Sequence, residues 1–239
     1  MKGQPEVSIV VPVYNEGIEV IDQLVKISDS VQSSKEILVV VDSKTDESIK
    51  HIEAANKLSS DIKLKISEFP AGPANAIRFG FSVANARVCV VTMADGCDDP
   101  RQIDDLVRLI NRGVVVAAAS RYMPGGQQVG GPRVKRFLSK LAGQLLYTFA
   151  GVGTRDATNS FKAYSKEFLD YIEPESKHGF ELGLELTSKA RRLRLPIAEI
   201  PTTWIDRQFG KSNFKLIQWL PKYFRWFLYA FGRKITKED

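Results

Sequence analysis

Three aspartates, Asp95, Asp98 and Asp99, follow directly on a run of mainly β-branched residues, 88–92. That run is apolar on both faces, which predicts a central strand of a covered sheet. Ligands of open α/β sheets bind at the carboxyl ends of the strands, so we expect these carboxylates at the mouth of a site. Carboxylates this close repel one another and raise each other's pKa. A divalent cation with oxygen ligands would relieve the repulsion and could hold a diphosphate.

A structural role competes with this interpretation for two of the three aspartates. Asp98 and Asp99 precede Pro100, where a helix is predicted to begin, and aspartates at such positions cap a helix or stabilise its first turn. We accept the structural role for one of these two. Asp95, which lies before the cap, is expected to bind ligand.

The first predicted strand also delivers polar groups at its end. Residues 7–11 are apolar, Pro12 is expected to stop the strand, and Tyr14 and Glu16 begin the following turn and helix. Residues 18–32 then have apolar positions at helical spacing. Polar residues after successive strands are typical of a nucleotide cleft, although the chain has neither GxGxxG nor GxxxxGK[ST].

Two more segments fit the same cleft. Residues 36–41 predict a second strand that runs into Asp42, and residues 69–80 predict a tight turn entering a helix. Gly72 in this turn allows a close approach of the backbone, and the N-terminus of a helix favours phosphate. Arg78 on that helix would be close to the phosphate or would be a solvated helix residue.

The length and composition limit the kinds of protein that this chain can be. The 239 residues suit one large domain or a domain with an appendage, and alternating strands and helices in the first half predict an α/β fold. The N-terminus lacks a signal-peptide pattern and no apolar run approaches about 20 residues, so we expect a cytoplasmic chain that does not cross a membrane. Cys89 and Cys97, with two histidines elsewhere, fit neither a disulfide framework nor a zinc site.

The net charge of +6 is concentrated in two stretches, residues 133–140 and 207–234. Such basic surfaces meet nucleic acid, anionic lipid or phosphorylated substrates. Residues 213–233 are also rich in aromatics and predict an amphipathic helix that Pro221 kinks or divides. Its basic face would hold Lys215, Gln218, Lys222 and Arg225, and its apolar face Leu216, Leu220, Phe224 and Phe227. This helix would lie on an anionic membrane or dock its aromatic face on the domain.

Eight short motifs, in order, resemble those of a known family. They are VSIVVPVYNE, the strand closing on Asp42 and Asp46, GPANAIRFG, MADGCDDP, SRYMPGG, RDATNSFKAY, GFELGLEL and DRQFGKS. Together they resemble the inverting, GT-A-type glycosyltransferases of family 2, especially the polyprenyl-phosphate (dolichol-phosphate) mannosyl- and glucosyltransferase branch. The likeness covers about residues 7–212. It implies an α/β fold of the Rossmann-like GT-A type, with a mostly parallel sheet flanked by helices in residues 1–212 and an amphipathic tail in 213–239.

The resemblance implies a nucleotide-diphosphate sugar as donor. Its binding residues would be Pro12, Tyr14, Glu16, Asp42, Gly72, Asn75, Arg78, Ala94, Asp95 and Lys211. A divalent metal, Mg²⁺ or Mn²⁺, would be held by Asp95 with Asp98. The sequence departs from the family's DXD element here, because its first acid falls on Met93 and a nearby polar position falls on Cys97.

The resemblance also implies a lipid-phosphate acceptor, bound by Arg121, Arg133 and Ser139. Arg207 and Lys211, in the motif DRQFGKS, resemble residues of a mobile family loop that closes over the diphosphates. The catalytic residues would be Asp95, Arg121, Arg207 and Glu181, and the protein would work at the inner face of the membrane. The basic residues of 133–140 would otherwise form a solvated helix face.

The mechanism depends on the acceptor. A phosphomonoester is already anionic at neutral pH and needs positioning more than a general base. A sugar or lipid hydroxyl would need a base, for which Glu181 or Asp156 is a candidate, whereas we expect a structural role for Glu185. A degenerate member that binds nucleotide or membrane without catalysis is a third interpretation. A nucleic-acid-binding module is not expected, because the basic residues accompany an acidic nucleotide-type site.

Overall fold

A computed structural model describes residues 3–177, 179–206 and 216–236, with the backbone alone for 216–219. The strands are β1 (Val7–Val13), β2 (Lys35–Val41), β3 (Ile62–Ile66), β4 (Val88–Val91), β5 (Val116–Ser120), β6 (Gln127–Val129), β7 (Lys162–Ser165), β8 (Ile197–Pro201) and β9 (Thr203–Ile205). The helices are α1 (Glu19–Ser30), α2 (Ile49–Leu58), α3 (Pro73–Ser82), α4 (Ile103–Asn111), α5 (Arg133–Leu145), α6 (Lys166–Ile172), α7 (Leu182–Arg192) and α8 (Leu216–Ala230).

Seven strands form the central sheet, in the order β3-β2-β1-β4-β7-β5-β8. All neighbours are parallel except at β7, which is antiparallel to β4 and β5. Strands β6 and β9 form a separate parallel pair. The mostly parallel α/β fold predicted from the sequence is confirmed.

Helices cover both faces of the sheet. One face packs on α1, α2 and α4, and the other on α3, α6 and α7. Side chains of β1 alternate between the two cores, so that Ile9 and Val11 face the first core and Val10 faces the second. A strand buried on both faces has no polar side to show, which explains the continuous apolar runs in the sequence.

Pro12 does not stop the first strand, contrary to our prediction. β1 continues to Val13, and Pro12 pairs in register with Val40 of β2. The carbonyl of Val10 accepts the N–H of Thr92, so Val10 and Pro12 both direct their backbone groups toward β4. Because β4 ends at Val91, no strand partner requires a hydrogen bond from Pro12.

Helix α8 packs on α7 and on the helical turn of residues 146–150. Trp226 is 3% exposed and joins Leu146, Ala150 and Leu184 in a third buried cluster. The face that packs differs from the predicted apolar face, because Leu220 and Phe224 remain exposed. Pro221 lies inside the helix. Within the described ranges, no helix has the length and hydropathy needed for a membrane span.

Candidate functional site

The carboxyl ends of β1, β2 and β4 lie side by side at one edge of the sheet. Val13 of β1 pairs with Val41 of β2, and Val10 pairs with Val91, the last residue of β4. The loops after these strands therefore start from neighbouring positions. They carry Tyr14, Glu16, Asp42 and Asp95, so the predicted donor residues are brought to one edge.

Asp42 lies at this edge with one satisfied and one unsatisfied carboxylate oxygen. Its Oδ2 accepts the N–H of Gly72 at 2.9 Å, whereas its Oδ1 is buried and has no partner among the described residues. Burial raises the pKa of Asp42, the Gly72 N–H opposes this, and the charge of Asp46 adds to it. A buried acceptor without a donor is costly, so this oxygen is suited to a ligand hydroxyl or N–H.

Gly72 makes this contact through an unusual backbone conformation. Its φ is 136°, in a region that side chains disfavour, and α3 begins at the next residue. The N–H groups of the first turn of a helix have no partners within the helix and attract anions. The predicted tight turn is therefore present. The hydrogen bond from Gly72 to Asp42 joins this turn to the end of β2.

Asn75 and Arg78 of α3 form a linked pair. Asn75 Nδ2 donates to the Pro70 carbonyl at 2.9 Å, and Arg78 Nη1 donates to Asn75 Oδ1 at 3.1 Å. The Arg78 guanidinium lies 5.6 Å from the ring centre of Phe69, and its Nε is buried without a partner in the part of the chain that is described. Arg78 is thus partly enclosed and is not a solvated helix residue.

The loop after β1 is fixed by backbone contacts to the loop after β2. The N–H of Asn15, a residue with φ 49°, donates to Asp46 Oδ2 at 3.1 Å. The N–H of Glu16 donates to Ser48 Oγ at 2.7 Å. The Tyr14 side chain is exposed beside them, so its ring is accessible to a ligand.

Of the three clustered aspartates, Asp99 is the cap. It accepts the N–H of Arg101 at 3.1 Å and begins a short 3₁₀ turn, residues 100–102, which leads into α4. The side-chain hydrogen bonds from Arg101 hold the pKa of Asp99 below its ordinary value. The predicted structural role for one of the pair is confirmed.

Asp98 instead bonds to the residues that follow β4. It accepts Thr92 Oγ1 at 3.1 Å and the Met93 N–H at 3.4 Å. Burial and then the charge of Asp95 raise the pKa of Asp98 to about 7. Asp95 Oδ1 accepts the N–H of Cys97 at 3.1 Å, and Ala94 beside it is buried. The repulsion predicted for adjacent carboxylates is therefore present.

Asp95 and Asp98 are close enough for the charge of Asp95 to act on Asp98, but the two carboxylates do not complete a metal site. Within residues 3–177, 179–206 and 216–236, no group of three or more His, Cys, Asp or Glu side chains is arranged to hold a metal ion. Asp95 and Asp98 supply oxygen donors of the kind that Mg²⁺ and Mn²⁺ prefer. Mg²⁺ is commonly bound by one or two carboxylates together with substrate phosphates, so this donor set fits a metal that arrives with a diphosphate.

Arg121 is the first residue after β5, and its main partner is Asp156. Its Nε donates to Asp156 Oδ2 at 2.7 Å and its Nη2 to Asp156 Oδ1 at 2.9 Å. Burial disfavours the charged guanidinium, but Asp156 outweighs burial, and the pKa of Arg121 is raised. The charge of Arg121 also acts on Asp98, so the two halves of the predicted site are close together.

Hydroxyl groups lie beside Arg121. Its Nη2 is 3.5 Å from Ser139 Oγ, which is 2.5 Å from Thr158 Oγ1. The backbone around Arg121 is tightly packed, because a side chain at Gly126 would meet the Arg121 backbone within 3.0 Å. Arg133 is exposed at the first position of α5, the helix that also carries Ser139.

Asp156 is fully buried and its carboxylate is committed to Arg121. Its Oδ2 accepts both the backbone N–H and the Nε of Arg121. This geometry makes Asp156 a positioning residue and argues against its use as a general base.

Glu181 is 2% exposed and precedes α7, and its Oε2 has no partner among the described residues. Tyr223 of α8 lies close to both Glu181 and Arg121. Burial raises the pKa of Tyr223, the charge of Glu181 raises it further, and that of Arg121 opposes this. Glu185 instead accepts the N–H groups of Glu175 and Ser176 at 2.6 and 2.7 Å, which is the structural role expected of it.

Four residues around Arg121 have roles that the sequence analysis did not identify. Asp156 was considered as a base, Thr158 was not considered, and Tyr223 was assigned to a separate tail. Trp204, whose ring centre lies 6.0 Å from the Arg121 guanidinium, was also missed. The basic-aromatic composition of the tail was the available signal for Tyr223, but nothing in it indicated this contact. Arg207 and Lys211 lie outside the described residues.

The fold and the acids at its strand ends define a GT-A-type α/β domain. Residues 8–172 match the sequence model of glycosyl transferase family 2, and this chain belongs to that family. The family predicted from the order of the motifs is therefore confirmed.

Named relatives support the same branch of the family. The chain is 30% identical to a polyprenol monophosphomannose synthase of Mycolicibacterium smegmatis over 60% of this chain and 57% of the relative. It is 28% identical to a dolichol-phosphate mannosyltransferase of Pyrococcus furiosus, over 88% of this chain and 59% of the relative. The chain thus spans less than two thirds of the length of both relatives.

A solved structure has the same fold at low sequence identity. Glucosyl-3-phosphoglycerate synthase from Mycobacterium tuberculosis, in complex with Mn²⁺, UDP and glucosyl-3-phosphoglycerate, superposes with a TM-score of 0.72. The identity is 17%, and the match covers 97% of this chain and 82% of that one.

Proposed function

We propose that this protein is an inverting glycosyltransferase that moves a hexosyl group from a nucleotide-diphosphate sugar to a polyprenyl phosphate or related lipid-linked acceptor. The observation that carries the proposal is the placement of Arg121 within electrostatic reach of Asp98. In this arrangement Arg121 would bind the phosphate of the acceptor. Asp95 and Asp98 would bind a metal ion at the diphosphate of the donor, within the same site. The names of the relatives point to the same chemistry.

The donor would lie along the edge formed by β1, β2 and β4. Asp42 Oδ1 would accept a hydrogen bond from the base or ribose, which would satisfy its buried oxygen. The free N–H groups at the start of α3, together with Arg78 and Asn75, would face the phosphates. Pro12, Tyr14, Glu16 and Ala94 would complete the walls, and Lys211 would reach the diphosphate.

Asp95 and Asp98 would hold a divalent metal ion. The metal would supply positive charge to the diphosphate as it leaves. Met93, at the position of the first DXD acid, brings no hard oxygen ligand, so the two later aspartates take over its task. The metal-bound site would favour the ionised form of Asp98, whose pKa is otherwise raised by burial and by Asp95.

The acceptor phosphate would bind at Arg121, Ser139 and Arg133. Asp156 fixes the Arg121 fork in place, and Ser139 adds a hydroxyl 3.5 Å from its Nη2. Arginine forks bind phosphate oxygens by paired hydrogen bonds. An acceptor phosphate oxygen held there attacks the anomeric carbon from the side opposite the leaving diphosphate, and this displacement inverts the configuration. Arg207 would stabilise the charge of the leaving group.

A lipid acceptor would bring the protein to a membrane surface. Val134, Phe137, Leu138 and Leu141 on α5 are exposed at helical spacing, with Phe137 65% exposed. The charged residues of α5 are all basic. An exposed apolar stripe flanked by cations suits the interface of an anionic membrane. We place the protein at the inner face of the cytoplasmic membrane as a peripheral protein.

Glu181 supports a second candidate reaction, transfer to a saccharide or lipid hydroxyl. Its Oε2 is buried without a partner in the described chain and lies near Tyr223 and Arg121. Such a carboxylate would accept a proton from an acceptor hydroxyl. The Glu181→Gln substitution distinguishes the reactions: transfer to a polyprenyl phosphate should be retained, and transfer to a hydroxyl should be lost.

The first experiment is a panel of UDP-, GDP- and CDP-sugars tested for thermal stabilisation of the protein, with and without Mn²⁺ or Mg²⁺. One nucleotide should stabilise it in a metal-dependent way. The selected sugar nucleotide is then incubated with a polyprenyl phosphate, and the glycolipid product is measured. The degenerate, non-catalytic interpretation would be supported by nucleotide binding without transfer to either type of acceptor.

The matched variants for this experiment are Asp95→Asn and Asp99→Asn. We expect Asp95→Asn to lower transfer by about a hundredfold or more and to abolish the metal-dependent stabilisation, because it removes a carboxylate ligand. Asp99→Asn alters the helix cap in the same loop and should retain transfer. Equal transfer by wild type and Asp95→Asn would remove Asp95 from the mechanism.

A further inference from the structure

A basic cleft lies outside the site described above. It encloses about 770 Å³ and is lined by Arg191, Arg194, Arg233 and Lys234, together with glycines and small apolar residues. None of the described residues that line it is acidic. A cavity of this size accommodates a small phosphorylated molecule or a headgroup.

The cleft is at the opposite edge of the sheet from the donor residues. Ile197, which lines it, pairs with Val116 at the start of β5. Through Tyr164 and Ser165 of β7, that edge continues to Val88, the first residue of β4. The aspartates that follow β4 lie at its other end, so a ligand in the cleft would not be in the donor site.

The walls of the cleft are held together by hydrogen bonds. Arg191 donates through Nη1 to the Gly232 carbonyl at 2.6 Å and through Nε to the Ala150 carbonyl. Arg192 donates to the Arg233 carbonyl at 2.8 Å. These bonds tie the segment after α8 to the end of α7 and to the turn at residue 150. The cleft is therefore part of the folded structure.

The other three cations are available to a ligand. The side chains of Arg194, Arg233 and Lys234 make no hydrogen bond or ion pair with any residue that the structure describes. Cations held close together without acids repel one another, and a phosphate group would relieve this repulsion. Their arrangement favours a ligand with at least one phosphate.

An apolar stripe on α8 leads to this cleft. Leu220, Phe224, Leu228 and Phe231 are exposed and lie at steps of four, four and three residues. Phe231 immediately precedes Gly232, which lines the cleft. Apolar side chains beside a cationic cleft match a phospholipid, whose acyl chains and phosphate are adjacent.

We propose that the cleft binds the phosphate headgroup of an anionic phospholipid, while the stripe on α8 contacts the acyl-chain region. This proposal rests on the membrane association in the proposed function, but it does not depend on the transfer reaction. It assigns the cleft to lipid that is bound and not consumed.

The test is co-flotation of the full chain with phosphatidylcholine vesicles, with and without phosphatidylglycerol. The cleft variant is Arg194→Gln/Arg233→Gln/Lys234→Gln. Its control is Lys50→Gln/Lys57→Gln/Arg112→Gln, which removes the same number of exposed cations elsewhere. We expect the cleft variant to bind phosphatidylglycerol vesicles about tenfold or more weakly, and the control to change by about twofold or less. Equal losses in both variants, or no loss in the cleft variant, would overturn the proposal.

Two further measurements are needed. The first distinguishes a lipid headgroup from a soluble phosphate as the ligand of the cleft, and the second distinguishes failure of this proposal from failure of the proposed function. Calorimetric titration with inorganic phosphate, without vesicles, tests for a soluble ligand. Cleft-dependent binding of inorganic phosphate, with vesicle binding unchanged, would overturn the lipid assignment. Thermal stabilisation by nucleotide should be the same in the wild type and the cleft variant. If the donor-site residues are assigned wrongly, the error would appear in the nucleotide measurement and would not affect flotation with vesicles.

Discussion

The carboxylates of the candidate site differ in how their oxygens are satisfied. The Asp99 carboxylate caps the 3₁₀ turn, and the Asp156 carboxylate forms an ion pair with Arg121. Asp42 keeps one buried oxygen without a partner in the described chain, and the raised pKa of Asp98 reflects burial and the charge of Asp95. The unpartnered oxygen of Asp42 has capacity for a ligand, whereas Asp99 and Asp156 maintain the structure.

Asp42→Asn should weaken nucleotide binding by about tenfold or more. The asparagine oxygen can still accept the Gly72 N–H, but the amide N–H₂ then replaces the buried acceptor Oδ1. Calorimetric titration with the stabilising nucleotide measures the change, and a urea denaturation curve checks the fold. Unchanged affinity would show that Asp42 Oδ1 does not accept a hydrogen bond from the nucleotide.

Lys162 is a buried cation behind the site, at the start of β7. Its ammonium group donates to the carbonyls of Ala157 and Asn159. Burial lowers the pKa of Lys162 to about 7, against the opposing charges of Asp156 and Asp98. Between about 7 and its ordinary value the unfolded chain binds this proton and the folded chain does not, so stability should rise with pH.

Lys162→Met should remove that rise. Between about pH 8 and pH 9, the free energy of unfolding of the wild type should increase relative to the variant by up to about 1.4 kcal/mol per pH unit. The Asp98 titration, centred at about 7, falls below this window. Urea denaturation at each pH measures the difference. Parallel pH profiles for the two proteins would contradict the lowered pKa of Lys162.

At the scale of elements, α8 has one buried face and one exposed face. Trp226 is buried, and its Nε1 donates to Ser176 Oγ at 3.1 Å. Arg225 beside it pairs with Glu175 at 2.8 Å. Phe224, two residues before Trp226, is 56% exposed. One face thus stabilises the domain, and the other is left for an external surface.

Trp226→Ala should destabilise the protein by about 3–5 kcal/mol, because it leaves a cavity between α7 and α8. Phe224→Ala is the control on the exposed face and should change the free energy of unfolding by about 0.5 kcal/mol or less. Urea denaturation measures both. Similar losses in the two variants would mean that the burial of Trp226 contributes little to stability.

At the scale of the whole molecule, the sequence predicted the parts that depend on local pattern. The α/β architecture followed from alternating apolar runs. A structural role for one of Asp98 and Asp99 followed from their position before Pro100, but the sequence did not show that Asp99 would be the cap. The prediction that Pro12 stops β1 was wrong. A proline can lie within β1 only because β4 ends at Val91, which the local sequence of β1 does not show. The sequence left open whether α8 docks on the domain or lies on a membrane, because the face that packs is selected by Ser176 and Leu184, far away in sequence.

The division predicted between residues 212 and 213 falls in the segment 207–215, outside the described residues. A chain that ends at residue 212 should nevertheless be less stable, because it would expose Leu146, Ala150 and Leu184. We expect its melting temperature to fall by about 10 °C or more. Differential scanning calorimetry of the two lengths measures this change. An unchanged melting temperature would show that α8 is an appendage that the domain does not need.

Tyr223 lies close enough to Arg121 and Glu181 for their charges to act on it, and it is added to the chain late in synthesis. The ribosome completes β1 to α7 before it adds Tyr223, so the emerging chain has the strand ends that carry Asp42 and Asp95 before α8 packs on α7. Chains interrupted before α8 would therefore expose an apolar surface that recruits chaperones or proteases.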